Sequence, residues 1–217
     1  MRLATFNVLH GRSIDDGVVD QQRFGQAVAT IDADVLAIQE VDRLQPRSGS
    51  VDLTAVAASA GNAVAHRFVA AVVGTPGETY RPLDFDDDGA DEPNYGIGLV
   101  SRYPVRSWRT VRLSASPVPG PIYAVGAGGG RGRPMLLRDE PRVLVCAVLA
   151  TPWGDVTVGA THLSFVPGWN LWQLRQVVRE LRTLPAPRLL LGDLNLPAGP
   201  AALGSGWTRP SPGSPLS

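Results

Sequence analysis

Five polar side chains stand where apolar runs give out, and their types are those that handle phosphate: Asn7, Glu40, His162, Asp193 and Asn195. The most pointed case is Leu189-Leu190-Leu191-Gly192-Asp193-Leu194-Asn195, where an apolar run closes in Gly and then offers an acid and an amide two positions apart. That pattern is a buried strand delivering polar groups to its C-terminal edge, where sites are usually built. A hard divalent cation such as Mg²⁺ takes oxygen from one or two carboxylates and leaves its other positions to water and substrate phosphate. Glu40 and Asp193 can supply such carboxylates, and Asn7 and Asn195 can hydrogen-bond an anion without adding negative charge. His162 can move a proton or stabilise an oxyanion. Taken singly, each has an ordinary reading as a solvated turn, a helix cap, a strand end or a hydrogen-bonded core histidine. The functional reading rests on their recurrence together. Arg47, soon after Glu40, is a further candidate, because a guanidinium offers phosphate a bidentate fork.

The elements that must position these groups follow from periodicity. Strands are expected at 3–9, 34–41, 64–73, 97–100, 105–113, 142–150, 155–161 and 188–191, where β-branched and other apolar residues run between turn signals. Helices are expected at 20–31, 52–60 and 171–184. The first has Phe24, Val28 and Ile31 at helical spacing behind a capping Asp20, the second ends at Gly61, and the third carries Leu171, Leu174, Val178 and Leu181 on one stripe. Residues 74–94 read as a polar loop, and 114–134 as a second loop rich in Gly and Pro. Residues 142–150 and 155–161 form a hairpin around Thr151-Pro152-Trp153-Gly154. Hairpins mixed with strand-helix-strand passages imply mixed sheets, and the helices are too few to cover both faces of one large sheet. An α/β (α+β) architecture follows, with two packed mixed sheets and helices outside.

Composition bounds the function classes. A chain of 217 residues with 44% hydrophobic residues can bury one good core, so one domain over 1–217 is expected. Twenty acids balance twenty bases, which gives no bulk field for nucleic acid or an anionic membrane, although local patches remain open. Every base is Arg. The one cysteine, Cys146, lies inside an apolar run and reads as a small core residue in a reducing compartment. No apolar stretch reaches the roughly 20 residues of a membrane helix, and the chain opens directly on a strand-like run. A cytoplasmic monomer is the expectation.

The order of the motifs resembles the endonuclease/exonuclease/phosphatase superfamily, the DNase I-like metal-dependent phosphoesterases. The matching pieces are Thr5-Phe6-Asn7, Ile38-Gln39-Glu40-Val41-Asp42, Leu99-Val100-Ser101-Arg102-Tyr103-Pro104, Thr161-His162-Leu163 and Leu191-Gly192-Asp193-Leu194-Asn195. The resemblance implies a four-layer α/β sandwich whose site lies at one end of the two central sheets. It also implies hydrolysis of a phosphate ester by in-line attack of water with Mg²⁺ or Mn²⁺. Carried over by position, Glu40 holds the metal, and Asn7 helps place the metal-bound phosphate. Asp193 orients or deprotonates the water, Asn195 steadies the phosphoryl oxygens, and His162 bonds phosphate or assists the leaving group.

Two departures qualify the match. Tyr95-Gly96-Ile97-Gly98 stands where many members carry Gly-Asn-Ala, so an amide is absent. No Ser-Asp-His motif follows Asn195, and a C-terminally truncated domain lacking its last strands is expected, with an open sheet edge. Two readings therefore stand beside the hydrolase: a non-catalytic remnant that keeps metal or phosphate binding, and a DNA endo- or exonuclease, which zero net charge disfavours. Asp84-Phe85-Asp86-Asp87-Asp88-Gly89 imitates the start of a calcium loop, but Tyr95 occupies the position that needs a bidentate Glu. Gly128-Gly129-Gly130-Arg131-Gly132-Arg133 lacks the ending of a P-loop. Trp169 and Trp172 straddle the start of the last helix, where core packing is the first reading and contact with lipid the second.

Overall fold

The computed structural model describes residues 1–83, 89–124 and 133–208. Its framework is two β-sheets facing each other. The first contains β1 (Leu3–Asn7), β2 (Val35–Arg43), β3 (Ala65–Gly74), β4 (Tyr80–Pro82) and β5 (Asn94–Ser101), in the order β1-β2-β5-β3-β4. The second contains β6 (Val105–Leu113), β9 (Arg142–Thr151), β10 (Gly154–His162) and β11 (Arg188–Asp193), in the order β11-β10-β9-β6. Both sheets are mixed: β1 runs parallel to β2 and β10 parallel to β11, while the other pairs are antiparallel. β1 and β11 each end their sheet, so the two parallel edges lie on the same side of the sandwich and touch.

Burial explains the layering. Val35, Ala37, Ile97 and Leu99 meet Val143, Val145, Leu149 and Val158 between the sheets. The outer face of the first sheet is covered by α1 (Gln21–Ile31) and α2 (Leu53–Ala60) through Phe24, Val28, Leu53 and Ala57 against Leu36, Ile38 and Val100. The outer face of the second is covered by α3 (Trp169–Leu181), whose Leu174, Val177, Val178 and Leu181 pack on Leu113, Leu144 and Cys146. The expected four-layer sandwich is therefore present. Asp20 and Asp52 cap α1 and α2, each accepting two backbone N–H groups that the first helical turn leaves unpaired. Cys146 is a buried core residue, and burial pushes its thiol up to about 12.

The structure departs from the sequence reading in several places. The 114–134 region is not all loop: β7 (Gly120–Ala124) and β8 (Arg133–Leu137) form a separate hairpin. Gly and Pro conceal it, because they score against strands although Pro sits comfortably on unpaired edges. Tyr80–Pro82 adds a short edge strand inside the expected loop at 74–94. Residues 198–205 form α4 (Ala198–Ser205), which packs against α3, and no strand follows β11 among the described residues. The first strand stops at Asn7 rather than residue 9, because Leu9–Gly11 winds into a 3₁₀ turn. The buried face of α3 includes Asn170 and Gln173, whereas the expected Leu171 is only partly buried. The calcium-like stretch 84–88 and the glycine-rich stretch 128–132 lie outside the described residues.

Candidate functional site

Asn7 and Glu40 meet through a fault in the sheet. β1 and β2 are in parallel register with Asn7 opposite Gln39, and the pairing of β2 with β5 slips between Gln39 and Val41. Glu40 is the extra residue of this bulge and takes φ +57°, a left-handed conformation uncommon for a residue with a side chain. The bulge frees its carboxylate from the inward–outward alternation, so Asn7 Nδ2 donates to Glu40 Oε1 at 2.8 Å while Asn7 Oδ1 accepts from the backbone of Leu9. No hydrogen bond among the described residues occupies Glu40 Oε2. Beside them Thr5 Oγ1 donates to Gln39 Oε1 at 3.1 Å, leaving the buried Gln39 Nε2 without a partner.

The other half is built on the second sheet. His162 and Asp193 end β10 and β11 in register, and Leu163 N donates to Asp193 O. Gly192 makes this possible: its φ is +142° and a Cβ there would lie 1.9 Å from Thr161 O, so only glycine lets the strands come together. Asp193 Oδ1 accepts from Asn195 N at 3.0 Å, closing a tight turn that places Asn195 at φ +49°. Asn195 Nδ2 donates to Leu163 O at 2.8 Å, and Asn170 Nδ2 of α3 donates to Asn195 O at 2.7 Å. The Asn195 turn is thus clamped from β10 and α3.

His162 lies behind Asp193, with Nε2 3.9 Å from Asp193 Oδ2. Burial, reinforced by the positive charge of Arg142, pushes its imidazole down to about 3, so it is neutral near pH 7. Arg142 is itself buried and pairs with Glu140 at 2.8 Å and Asp139 at 3.4 Å. Burial raises the Glu140 carboxyl, with Arg142 opposing. Tyr95 is also buried, and both burial and the nearby Glu40 charge hold its phenol well above the ordinary range. It therefore stays protonated, a hydrogen-bond donor near Glu40 where the sequence shows no amide.

These halves converge. A cleft of about 630 Å³ is lined by Thr5, Asn7 and Gln39 from the first sheet and by Asp193, Asn195 and neighbouring α4 residues from the second. Neither Glu40 nor His162 lines this cleft: Glu40 is linked to it through its hydrogen bond with Asn7, and the buried His162 lines a separate small cavity with Tyr95 and Arg142. Arg47 does not join it as expected. Its Nε and Nη2 fork the fully buried Asp42 at 2.8 and 2.7 Å, so the bidentate face expected for phosphate is already taken. Among the described residues, no three His, Cys, Asp or Glu side chains cluster as a metal cage. Sequence reasoning missed Asn170, Arg142 and Glu140. Asn170 was legible in principle, because Asn170 and Gln173 fall at i and i+3 on the same helix face as Leu174 and Val177.

Comparison with known proteins agrees with this architecture. The chain resembles the endonuclease/exonuclease/phosphatase from Beutenbergia cavernae at 27% identity and a TM-score of 0.60, covering 90% of this chain and 47% of that one. This chain thus spans about half the length of that relative. It also resembles sphingomyelinase C from Streptomyces griseocarneus at 16% identity and a TM-score of 0.58, covering 94% of this chain and 69% of that one. For the mannosyl-6-phosphatase of Bacteroides thetaiotaomicron the identity is 14% and the TM-score 0.54, over 90% and 65% of the two chains. No curated protein matches the sequence. The model of the endonuclease/exonuclease/phosphatase family matches residues 4–216, and the chain belongs to that family.

Proposed function

We propose that the protein hydrolyses a phosphate ester by in-line attack of water in the Asn7–Asn195 cleft, with Mg²⁺ or Mn²⁺ held at Glu40 and Asn7. The observation that carries this reading is that Asn7, hydrogen-bonded to Glu40, comes from one sheet and Asp193 and Asn195 from the other to line one cleft. The donors suit a hard cation that keeps most of its water, since Glu40 offers one oxygen unengaged by the described residues and Asn7 a neutral amide. When bound, the cation offsets charge developing on the transferred phosphoryl oxygens.

The side chains divide the remaining work. Asp193 keeps Oδ1 on the turn and presents Oδ2 to orient the attacking water and accept its proton. Asn195 has a second Nδ2 hydrogen for a phosphoryl oxygen, and the turn that holds it is rigid before substrate arrives. His162, neutral, offers a single N–H to phosphate without adding charge.

The test is hydrolysis of bis(p-nitrophenyl) phosphate by the chain with Mg²⁺, Mn²⁺ or EDTA. Turnover should require the metal. Glu40→Gln should raise the Mg²⁺ concentration for half-maximal rate by about 10- to 100-fold. Metal-independent turnover, or Glu40→Gln indistinguishable from the parent, would overturn the reading. Isothermal titration that shows Mg²⁺ binding lost in Glu40→Gln, without turnover in any metal, would leave the non-catalytic binding protein in its place.

A further inference from the structure

The β7–β8 hairpin belongs to neither main sheet, and β8 exposes two apolar side chains, Met135 and Leu136, on opposite faces. Met135 is 46% exposed and Leu136 68%, and consecutive strand residues point to opposite sides. A hairpin that packs against its own protein buries one face and wets the other; here the face of Gly120, Ile122 and Leu137 is buried only in part, and Met135 beside them and Leu136 on the other face stay exposed. Met135 is paired with Ile122 and Leu136 with Pro121, so each face carries an apolar couple. Val118, just before β7, is 58% exposed.

The hairpin is tied to a second exposed apolar feature. Trp169 and Trp172 stack on the first turn of α3, ring centroids 4.4 Å apart, and Trp172 is 39% exposed. Trp169 Nε1 and Gln173 Nε2 both donate to Ser114 O at 2.9 Å, tying the approach to β7 onto α3. Gly120, at the start of β7, packs so closely on Phe165 and Val166 that a Cβ would sit 2.8 Å from each. Hairpin and tryptophans are therefore both held to the segment that leaves His162.

Two observations select the occupant. From Ser114 to Arg138 the sequence contains no Asp or Glu, the Asp139 and Glu140 that follow are buried and paired with Arg142, and the exposed Arg133 and Arg138 flank the apolar residues of β8. Pro121 and Pro134 have no N–H, which weakens both strands as templates for an added strand from another protein or a second copy. Apolar side chains, interfacial Trp and flanking Arg without acids match the headgroup region of an anionic bilayer. No described helix is long and apolar enough to cross a membrane, so the contact is with its surface.

We propose that the β7–β8 hairpin and the Trp169–Trp172 pair form one interfacial surface that docks this protein on membranes containing anionic lipid. The test is co-sedimentation of the whole chain with phosphatidylcholine vesicles, with and without phosphatidylserine, and without any phosphoester turnover, so it is independent of the hydrolase reading. Binding should need phosphatidylserine, weaken as salt is raised, and fall about tenfold or more in Leu136→Asp and in Trp172→Ala. Both residues are exposed, and unchanged urea midpoints will show that the variants are folded. Tryptophan emission should shift to the blue on vesicles and be quenched by brominated acyl chains. No sedimentation with either vesicle, or binding unaffected by both substitutions, would overturn the proposal. So would a lipid-free dimer in analytical ultracentrifugation that Leu136→Asp dissociates, because the surface would then belong to a second copy.

Discussion

In the proposed mechanism Asp193 divides its carboxylate between structure and chemistry, and the division can be tested. Oδ1 holds Asn195 N, while Oδ2 lies 3.9 Å from His162 Nε2. Asp193→Asn keeps the oxygen that accepts from Asn195 N but removes the base, so hydrolysis should fall about 10²- to 10⁴-fold with the fold intact by circular dichroism. His162 makes a separate prediction about stability. Its folded pKa of about 3 lies below the ordinary 6.5, so the unfolded chain binds the proton more readily than the native one. Its contribution is whole above pH 6.5, is lost progressively as pH falls toward 3, and levels off below that. In urea titrations over this window, His162→Gln should have a shallower loss of stability with acid than the parent. Equal slopes would show that the buried imidazole is not the group responsible.

At the scale of elements, the site depends on irregularities more than on strands. The bulge at Glu40 and the tight approach at Gly192 are each a single residue departing from ideal pairing. Gly192→Ala must move Thr161 O or break the β10–β11 pair, and should destabilise by about 2 kcal/mol or more, read as a lower urea midpoint. Asp20 was readable as a cap because capping is local chemistry, whereas Asp52, read as the first residue of its helix, proves to be its cap. The β7–β8 hairpin was not, because pairing across residues 120–137 is decided by which chain segments meet. The same holds for α4, whose Gly- and Pro-containing sequence is a weak helix former and which packs against α3.

At the scale of the molecule, the cleft exists because two edge strands end side by side. β1 and β11 are held there by the apolar layer between the sheets, so the site is sensitive to packing far from it. Leu99 is fully buried in that layer, and Leu99→Ala should cost about 2–5 kcal/mol by chemical denaturation. Leu99 stands opposite Ala37, away from the Glu40 bulge, so Leu99→Ala should lower stability and leave the metal requirement of any surviving turnover unchanged. A changed metal requirement would show that the sheet separation sets the site's geometry directly.

Local pattern alone determined much of this protein: the two mixed sheets, three of the four helices, the capping Asp20, and the sequence positions Asn7, Glu40, His162, Asp193 and Asn195. These were legible because apolar periodicity and the residue that ends each run are properties of neighbours in the chain. Tertiary structure decided how those residues are used. It spent the Arg47 fork on Asp42, neutralised His162 by burial beside Arg142, clamped Asn195 with Asn170, and left Met135 and Leu136 of β8 exposed. Each of these depends on desolvation or on partners distant in sequence, and neither quantity is encoded in a window of adjacent residues.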